Sequence, residues 1–329
     1  SENYTRLFVD EDYTTGFSSG EPELPVLHKI IAVPEKATPK LVFHDKGTKV
    51  VTLSRKVFPI QTNGFKNRTV ENFCMNSKIY GSAEVYGNDL VRLSPMGIFR
   101  NLRLYRITVS PFEYNPVKNK LILHDDISVE VRFDGADYGE TKRRLQQTAG
   151  LYNFSGIANR SVYEDMLARN TVAPRYLIVA QDTFRNSLLE FARWKRQEGF
   201  DVEFLIPSRN STPDSIRDLL KDMYLHSTPK NPAPVFVTIV GDTNHVGTFE
   251  GKVSVQGIGR HNTDLYFAEY TGDFYPDALV GRISVADTAE LRHVLQKILK
   301  YEKYHLQDTD YLQRVIQVAG QEARRPAPT

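Results

Sequence analysis

The stretch Pro234-Val235-Phe236-Val237-Thr238-Ile239-Val240-Gly241-Asp242-Thr243 decides how the rest of the chain is read. From Val235 to Val240 every residue is apolar or β-branched, which is the pattern of a strand buried on both faces. The run stops at Gly241-Asp242-Thr243, a turn with a carboxylate at the carboxyl end of the strand. In open α/β sheets that edge collects ligands and catalytic groups. Strand and helix patterns flank the stretch on both sides, so it is expected at the centre of a sheet.

Working outward, the pattern after Pro174 alternates strand and helix. Arg175–Ala180 reads as a buried strand, followed by a helix capped by Asp182, with Phe184, Leu188, Phe191 and Ala192 on one face and a stop at Gly199. Val202–Ile206 is the next strand. Thr212 as N-cap and Pro213 at the first helical position open a second helix. A glycine-rich excursion over 244–262 leads to strands expected at Asp264–Ala268 and Ala278–Ile283. Asp287 and Glu290 form a capping pair for a long helix, and Arg314–Ala319 reads as a last strand before Gly320-Gln321-Glu322. Alternation of this kind predicts a mainly parallel sheet wrapped on both sides. A strand so near Thr329 with no helix to cover it reads as an incomplete domain.

The first half is different. Short strand patterns follow one another at His28–Val33, Lys40–His44, Lys49–Leu53, Leu90–Leu93, Leu102–Val109 and Lys120–Leu123. Ile127–Phe133 alternates strictly, with His124-Asp125-Asp126 expected as the turn before it. No useful helical period precedes residue 140 or so, which predicts an all-β, sandwich-like N-terminal domain. Residues 134–173 break the pattern, and the basic residues around Asn159-Arg160-Ser161 sit in a poorly patterned stretch. By pattern alone this is either a plain interdomain linker or an exposed loop open to proteolytic nicking.

Composition narrows the classes. The 329 residues suffice for two domains, and 40% apolar with 25% charged content is that of a globular protein. The 17 tyrosines and 18 phenylalanines suit β-rich aromatic cores. A net charge of +2 without a long basic run argues against a nucleic-acid partner. No segment approaches the roughly 18–20 apolar residues needed to span a bilayer. The start at Ser1 fits a removed signal peptide or a chosen chain boundary equally. A single cysteine, Cys74, excludes an internal disulfide framework and reads as a small, partly buried thiol.

Among chemistries, nucleotide binding lacks its glycine fingerprints: neither G-x-G-x-x-G nor G-x-x-x-x-G-K-[ST] occurs after a strand. Scattered histidines and one thiol do not support zinc. Asp242, with Asp273 and Asp277 around the aromatic turn Phe274-Tyr275-Pro276, suits the oxygen-rich shell of calcium or, as plainly, a solvated turn. His245 could line the strand-end crevice but reads first as an exposed loop histidine.

Several long segments together resemble the gingipains, secreted bacterial cysteine peptidases, and are closest to the lysine-specific branch. Gly20–Pro34 is similar to the family's prodomain; Arg175–Phe200, Ala233–Thr243, Thr263–Ile283 and Glu290–Lys303 look like the first half of its peptidase domain. The resemblance implies an inhibitory prodomain over 1–160 and the N-terminal half of a caspase-like α/β domain over 161–329. It implies cleavage between Arg160 and Ser161, and a prodomain plug at Lys66, with Arg68 as the fallback. Glu322 matches the acid that orients the catalytic histidine, while the catalytic cysteine and histidine themselves are expected beyond Thr329. Asp242, Asp273, Asp277 and the Tyr275 carbonyl match calcium ligands, though Thr271 stands where lysine-specific relatives carry an aspartate, which should weaken the site. The implied protein is a secreted or cell-surface endopeptidase acting after lysine or arginine, its partners being the C-terminal remainder of its own catalytic domain and protein or peptide substrates. The alternative is a catalytically silent relative acting in secretion, adhesion or binding.

Overall fold

The computed structural model describes residues 3–9, 13–16, 18–61, 73–148, 155–167, 172–254, 260–305 and 309–317. The N-terminal part carries β1 (Tyr13–Thr15), β2 (Pro25–Val33), β3 (Thr38–Thr52), the one-turn helix α1 (Ser77–Tyr80), β4 (Val91–Phe99), β5 (Leu102–Val109), β6 (Phe112–Asn115) and β7 (Lys120–Asp134), then α2 (Tyr138–Gln147) and α3 (Arg160–Leu167). Its strands form two antiparallel sheets, ordered β1-β2-β5-β4 and β3-β7-β6. Ile31, Val33 and Ala37 pack with Tyr105, Val131 and Phe133 on one side of β2 and β5. The opposite face meets α2 and α3, which bring Leu145, Tyr163 and Met166 onto Ala32, Leu102 and Leu104. The N-terminal part is therefore not all-β. Helix α2 starts at Tyr138, with Asp137 as N-cap accepting from Glu140 N–H, two residues ahead of the first expected helical period.

His124-Asp125-Asp126 is not a turn. It lies inside the 15-residue strand β7 and pairs across to Gly47 and Thr48 of β3 at a register shift. The polar run is tolerated because β3 supplies partners: His124 Nδ1 meets Asp45 Oδ2 at 2.7 Å, and Lys49 pairs with Asp125. What reads as two short strands on each side is thus one long ribbon.

The second part holds β8 (Arg175–Ala180), α4 (Asp182–Arg185), α5 (Leu189–Gln197), β9 (Asp201–Leu205), α6 (Pro213–Leu225), β10 (Phe236–Val240), β11 (Phe249–Ser254), β12 (Arg260–Thr263), β13 (Leu279–Ile283) and α7 (Thr288–Glu302). Four strands form a parallel sheet ordered β13-β10-β8-β9. β10 is an inner strand, as its unbroken apolar run requires. Val237 and Ile239 pack with Ile216, Leu220 and Tyr224 of α6 on one face, while Val240 packs with Phe184, Phe191, Leu291 and Leu295 on the other. A sheet buried on both faces leaves its two ends as the places where polar groups can gather.

Local signals hold well at two helix starts. Thr212 Oγ1 accepts from Ser215 N–H, and Asp287 Oδ1 accepts from Ala289 and Glu290 N–H. Three expectations fail. Asp182 is the first residue of α4 and Gln181 is the N-cap, without a side-chain bond. Asp264–Ala268 is not a strand: β12 ends at Thr263 and a 3₁₀ turn covers Leu265–Phe267, burying Phe267 against β11 neighbour Phe249. Residues 314–317 form no strand; Val315 and Ile316 are 84% and 88% exposed, and no neighbouring strand among the described residues supplies the ladder that a strand needs.

Candidate functional site

The carboxyl end of β10 is built from its glycine outward. Gly241 has φ +111°, where a side chain would be strained, and an added Cβ would stand 2.6 Å from His245 Cβ. Its N–H donates to Ile283 O at 2.9 Å and that of Asp242 to Val285 O at 3.0 Å, so the turn stays tied to the end of β13 and the residues just after it. Asp242 then accepts from His245 Nδ1 at 2.8 Å and from Asn244 N–H at 2.9 Å, both on Oδ1. The histidine bond, followed by the Asn244 donors, holds the Asp242 carboxyl below the usual carboxylate range despite some opposing burial. His245 is not a free loop histidine. Its side chain is 21% exposed, its ring packs edge-on to Phe184, and Gln181 Nε2 donates to its carbonyl at 2.6 Å.

One residue that the sequence pattern passes over holds this turn in shape. Arg282, the penultimate residue of β13, donates to the carbonyls of Gly241 (2.9 Å), Val246 (2.8 Å) and Gly247 (3.2 Å). Its other face forms a bidentate pair with Asp264, Nε to Oδ2 at 2.7 Å and Nη2 to Oδ1 at 2.8 Å. The only hint in the sequence is an arginine inside an otherwise small and apolar strand pattern.

Asp273 and Asp277 lie in the next loop. Asp277 is 1% exposed; its Oδ2 accepts from Tyr270 N–H at 2.7 Å, Thr271 N–H at 3.2 Å and Thr271 Oγ1 at 3.3 Å. Burial pushes its pKa up to about 6, with the charge of Asp273 adding to the rise and the backbone donors opposing it. Its Oδ1 is buried without a hydrogen bond among the described residues. The Tyr224 hydroxyl favours the ionised form from nearby but gives its hydrogen bond to Asn101 Oδ1 at 3.0 Å. Asp273 accepts from Tyr275 N–H at 2.9 Å and, through Oδ2, from Ile98 N–H of β4 at 2.5 Å.

The structure does not bring the three predicted carboxylates together: Asp242 follows β10 at the carboxyl end of the sheet, whereas Asp277 precedes β13, whose Leu279 pairs with Phe236 at the amino end. A cation is offered one orphaned oxygen on Asp277 beside Asp273. Among the described residues no three histidine, cysteine, aspartate or glutamate side chains gather as a metal cluster. Thr271 donates its hydroxyl to Asp277 and so satisfies part of it internally.

Arg160 and Ser161 are exposed and open helix α3, so they are not in a loop; Tyr163 of the same helix is buried at 1% beside Leu145 and Ile157, which carries the packing of the N-terminal part across residue 160. Cys74 is exposed rather than partly buried. Lys66, Arg68 and Glu322 lie outside the described residues.

A β-rich unit thus lays β4 against the 269–277 loop of a following parallel α/β unit. The family model for the C25 propeptide matches residues 12–166, and that for peptidase family C25 matches residues 169–327. The chain belongs to peptidase family C25, the gingipain family of cysteine endopeptidases, and comprises the prodomain and the start of the catalytic domain. It is 31% identical over 92% of its length to Lys-gingipain W83 of Porphyromonas gingivalis and 22% identical over 92% to gingipain R2 of the same species. It spans 18% of the first relative and 41% of the second. A solved structure addressing the zymogenic latency of gingipain K from Porphyromonas gingivalis is 30% identical, over 38% of this chain and 72% of that one, with a TM-score of 0.36. That score is low, and the fold described above rests on this chain's own elements.

Proposed function

We propose that this chain is the latent N-terminal portion of a secreted bacterial cysteine endopeptidase that cleaves after lysine or arginine. The observation that carries the proposal is the order of the two matches, propeptide then peptidase, meeting within a few residues of the exposed Arg160-Ser161 pair. In this reading the β-rich unit inhibits the enzyme until a cut after Arg160, and Lys66, with Arg68 as fallback, occupies the specificity pocket as a long cation paired with a buried carboxylate. Glu322 would accept a hydrogen bond from the imidazole of the catalytic dyad, fixing its tautomer and stabilising its charged form. The nucleophile and base belong to the remainder of the catalytic domain.

Calcium belongs to the proposal in a narrow form. The orphaned Oδ1 of Asp277 and the neighbouring Asp273 would hold the ion, with the Tyr275 carbonyl as a neutral ligand; Asp242, at the other end of the sheet, takes no part. Its contribution would be structural, bracing the loop. Calcium should raise the unfolding temperature of the wild-type chain and not of Asp277→Asn; equal shifts in both would remove it.

The experiment on activity uses the full-length protein. Wild type should be cut after Arg160 and then hydrolyse lysyl or arginyl amides, whereas Arg160→Gln should stay uncut and latent. A processed protein with an intact thiol that hydrolyses neither substrate sinks the proposal.

A further inference from the structure

The β4–β5 hairpin reaches across to the α/β unit in a way that the zymogen reading does not use. Its two-residue turn, Arg100-Asn101, has both residues at positive φ, +49° and +65°, as a type I′ turn demands. Neither is glycine, so the turn carries backbone strain that its surroundings must offset. Part of the support comes from the C-cap of α2: Arg100 is 1% exposed, its Nη2 donates to Thr148 O at 2.8 Å, and Thr148 Oγ1 donates to Arg100 O at 2.9 Å. The rest comes from the α/β unit, where Tyr224 of α6 donates to Asn101 Oδ1 at 3.0 Å.

Three residues earlier in the hairpin, Ile98 N–H donates to Asp273 Oδ2 at 2.5 Å. Gly97 beside it leaves room for that approach. An added Cβ there would stand 2.6 Å from Tyr275 Cδ2 and 2.7 Å from Asp273 Oδ2, closer than any side chain tolerates. Asp273 is in turn aimed by its own loop, since Glu269 accepts from the N–H groups of Gly272 and Asp273. A third tie lies at the end of α2, where Gln147 Nε2 donates to Ser227 O and Gln147 O accepts from Ala233 N–H, both at 2.7 Å. Neither the hairpin nor the loop contains Lys66, Arg68, Arg160 or Glu322.

We propose that residues 97–101, with Tyr224 of α6 and the 269–277 loop, form a dedicated docking surface between the two units, made of residues other than Lys66 and Arg68, with Gly97 as the residue that admits the contact. The partner is the chain's own α/β unit, recognised by one backbone N–H on a carboxylate and one amide side chain on a tyrosine hydroxyl. This deepens the zymogen reading and rests on it only for its biological meaning; the contact itself is tested on the intact chain, with no cleavage or activity required.

Hydrogen exchange of the full chain is the test, with wild type, Gly97→Val, Tyr224→Phe and Lys66→Ala compared. In Gly97→Val, peptides covering 94–103 and 269–279 should both exchange at least about tenfold faster, while β7, β8 and β10 keep wild-type protection. Lys66→Ala should leave the 269–279 peptides unchanged. If Gly97→Val leaves them at the wild-type rate, or Lys66→Ala opens them as much, the docking surface is not what holds the units. Should Gly97→Val unfold the N-terminal part, seen as lost protection in β7, Tyr224→Phe decides: faster exchange in the same two peptides supports the surface, and no change overturns it. Failure of Arg160 processing in the full-length enzyme would sink the zymogen reading without touching these rates.

Discussion

At the scale of single residues, Arg282 is the most consequential side chain at the sheet edge. Its guanidinium reaches four carbonyls of the 241–247 turn and the Asp264 carboxylate at once. Arg282→Met strands those acceptors and leaves Asp264 unpaired, so a loss of about 3–5 kcal/mol in urea unfolding is expected, the range for breaking a mostly buried pair. Arg282→Lys should recover part of it only, because an ammonium cannot reproduce the fork. His28 makes a second prediction. Burial lowers its pKa, and Arg106 and Arg92, which face it across the same sheet, lower it further; its Nδ1 sits 3.1 Å from Thr108 Oγ1. The unfolded chain then binds a proton that the folded chain resists in the window just below the ordinary histidine value of 6.5. Stability should rise with pH through that window and the penalty should persist below it. Unfolding at pH 5.5 and 7.5 should show a smaller pH difference in His28→Gln than in wild type.

At the scale of elements, local sequence signals and distant partners contribute separately. Helix α6 illustrates both. Thr212 caps it through Ser215 N–H, so Thr212→Ala should cost about 1 kcal/mol. Leu220, 1% exposed against β10 and its neighbours, should cost about 3 kcal/mol as Leu220→Ala because the packed sheet cannot collapse into the space. The cap was readable from Thr212-Pro213 alone, since an N-cap acts within three residues. The long ribbon of β3 and β7 was not: the polar run 124–126 looks like a turn until Asp45 and Lys49 are placed opposite it, 79 and 76 positions away. The same reason explains Arg314–Gln317, whose β-branched pattern promises a strand that has no partner among the described residues.

At the scale of the whole molecule, helix α3 bears on how the two units part. A cut after Arg160 leaves Ser161–Leu167 attached to the α/β piece, yet Tyr163 of this segment is buried at 1% in the N-terminal core with Ala32, Leu104, Leu145 and Ile157. In the proposed enzyme, nicked protein should therefore release its prosegment more readily as Tyr163→Ala than as wild type, seen as separate peaks in gel filtration at a protein concentration where the wild-type pieces still elute together. Equal release in both would mean that the anchor contributes nothing.

What the sequence determined by itself was the parallel sheet with β10 inside it, the β-rich first half, the helix caps at Thr212 and Asp287 and, through several ordered segments, the family. Each of these depends on periodicity or on residues close along the chain. What only the tertiary structure decided was how polar groups are shared: Asp242 with His245, Arg282 with Asp264, Asp273 with Ile98, and Tyr224 with Asn101. The last two pairs are 175 and 123 residues apart, and no local pattern marks them, because a hydrogen bond is set by where two backbones come to lie and not by the residues that flank either partner.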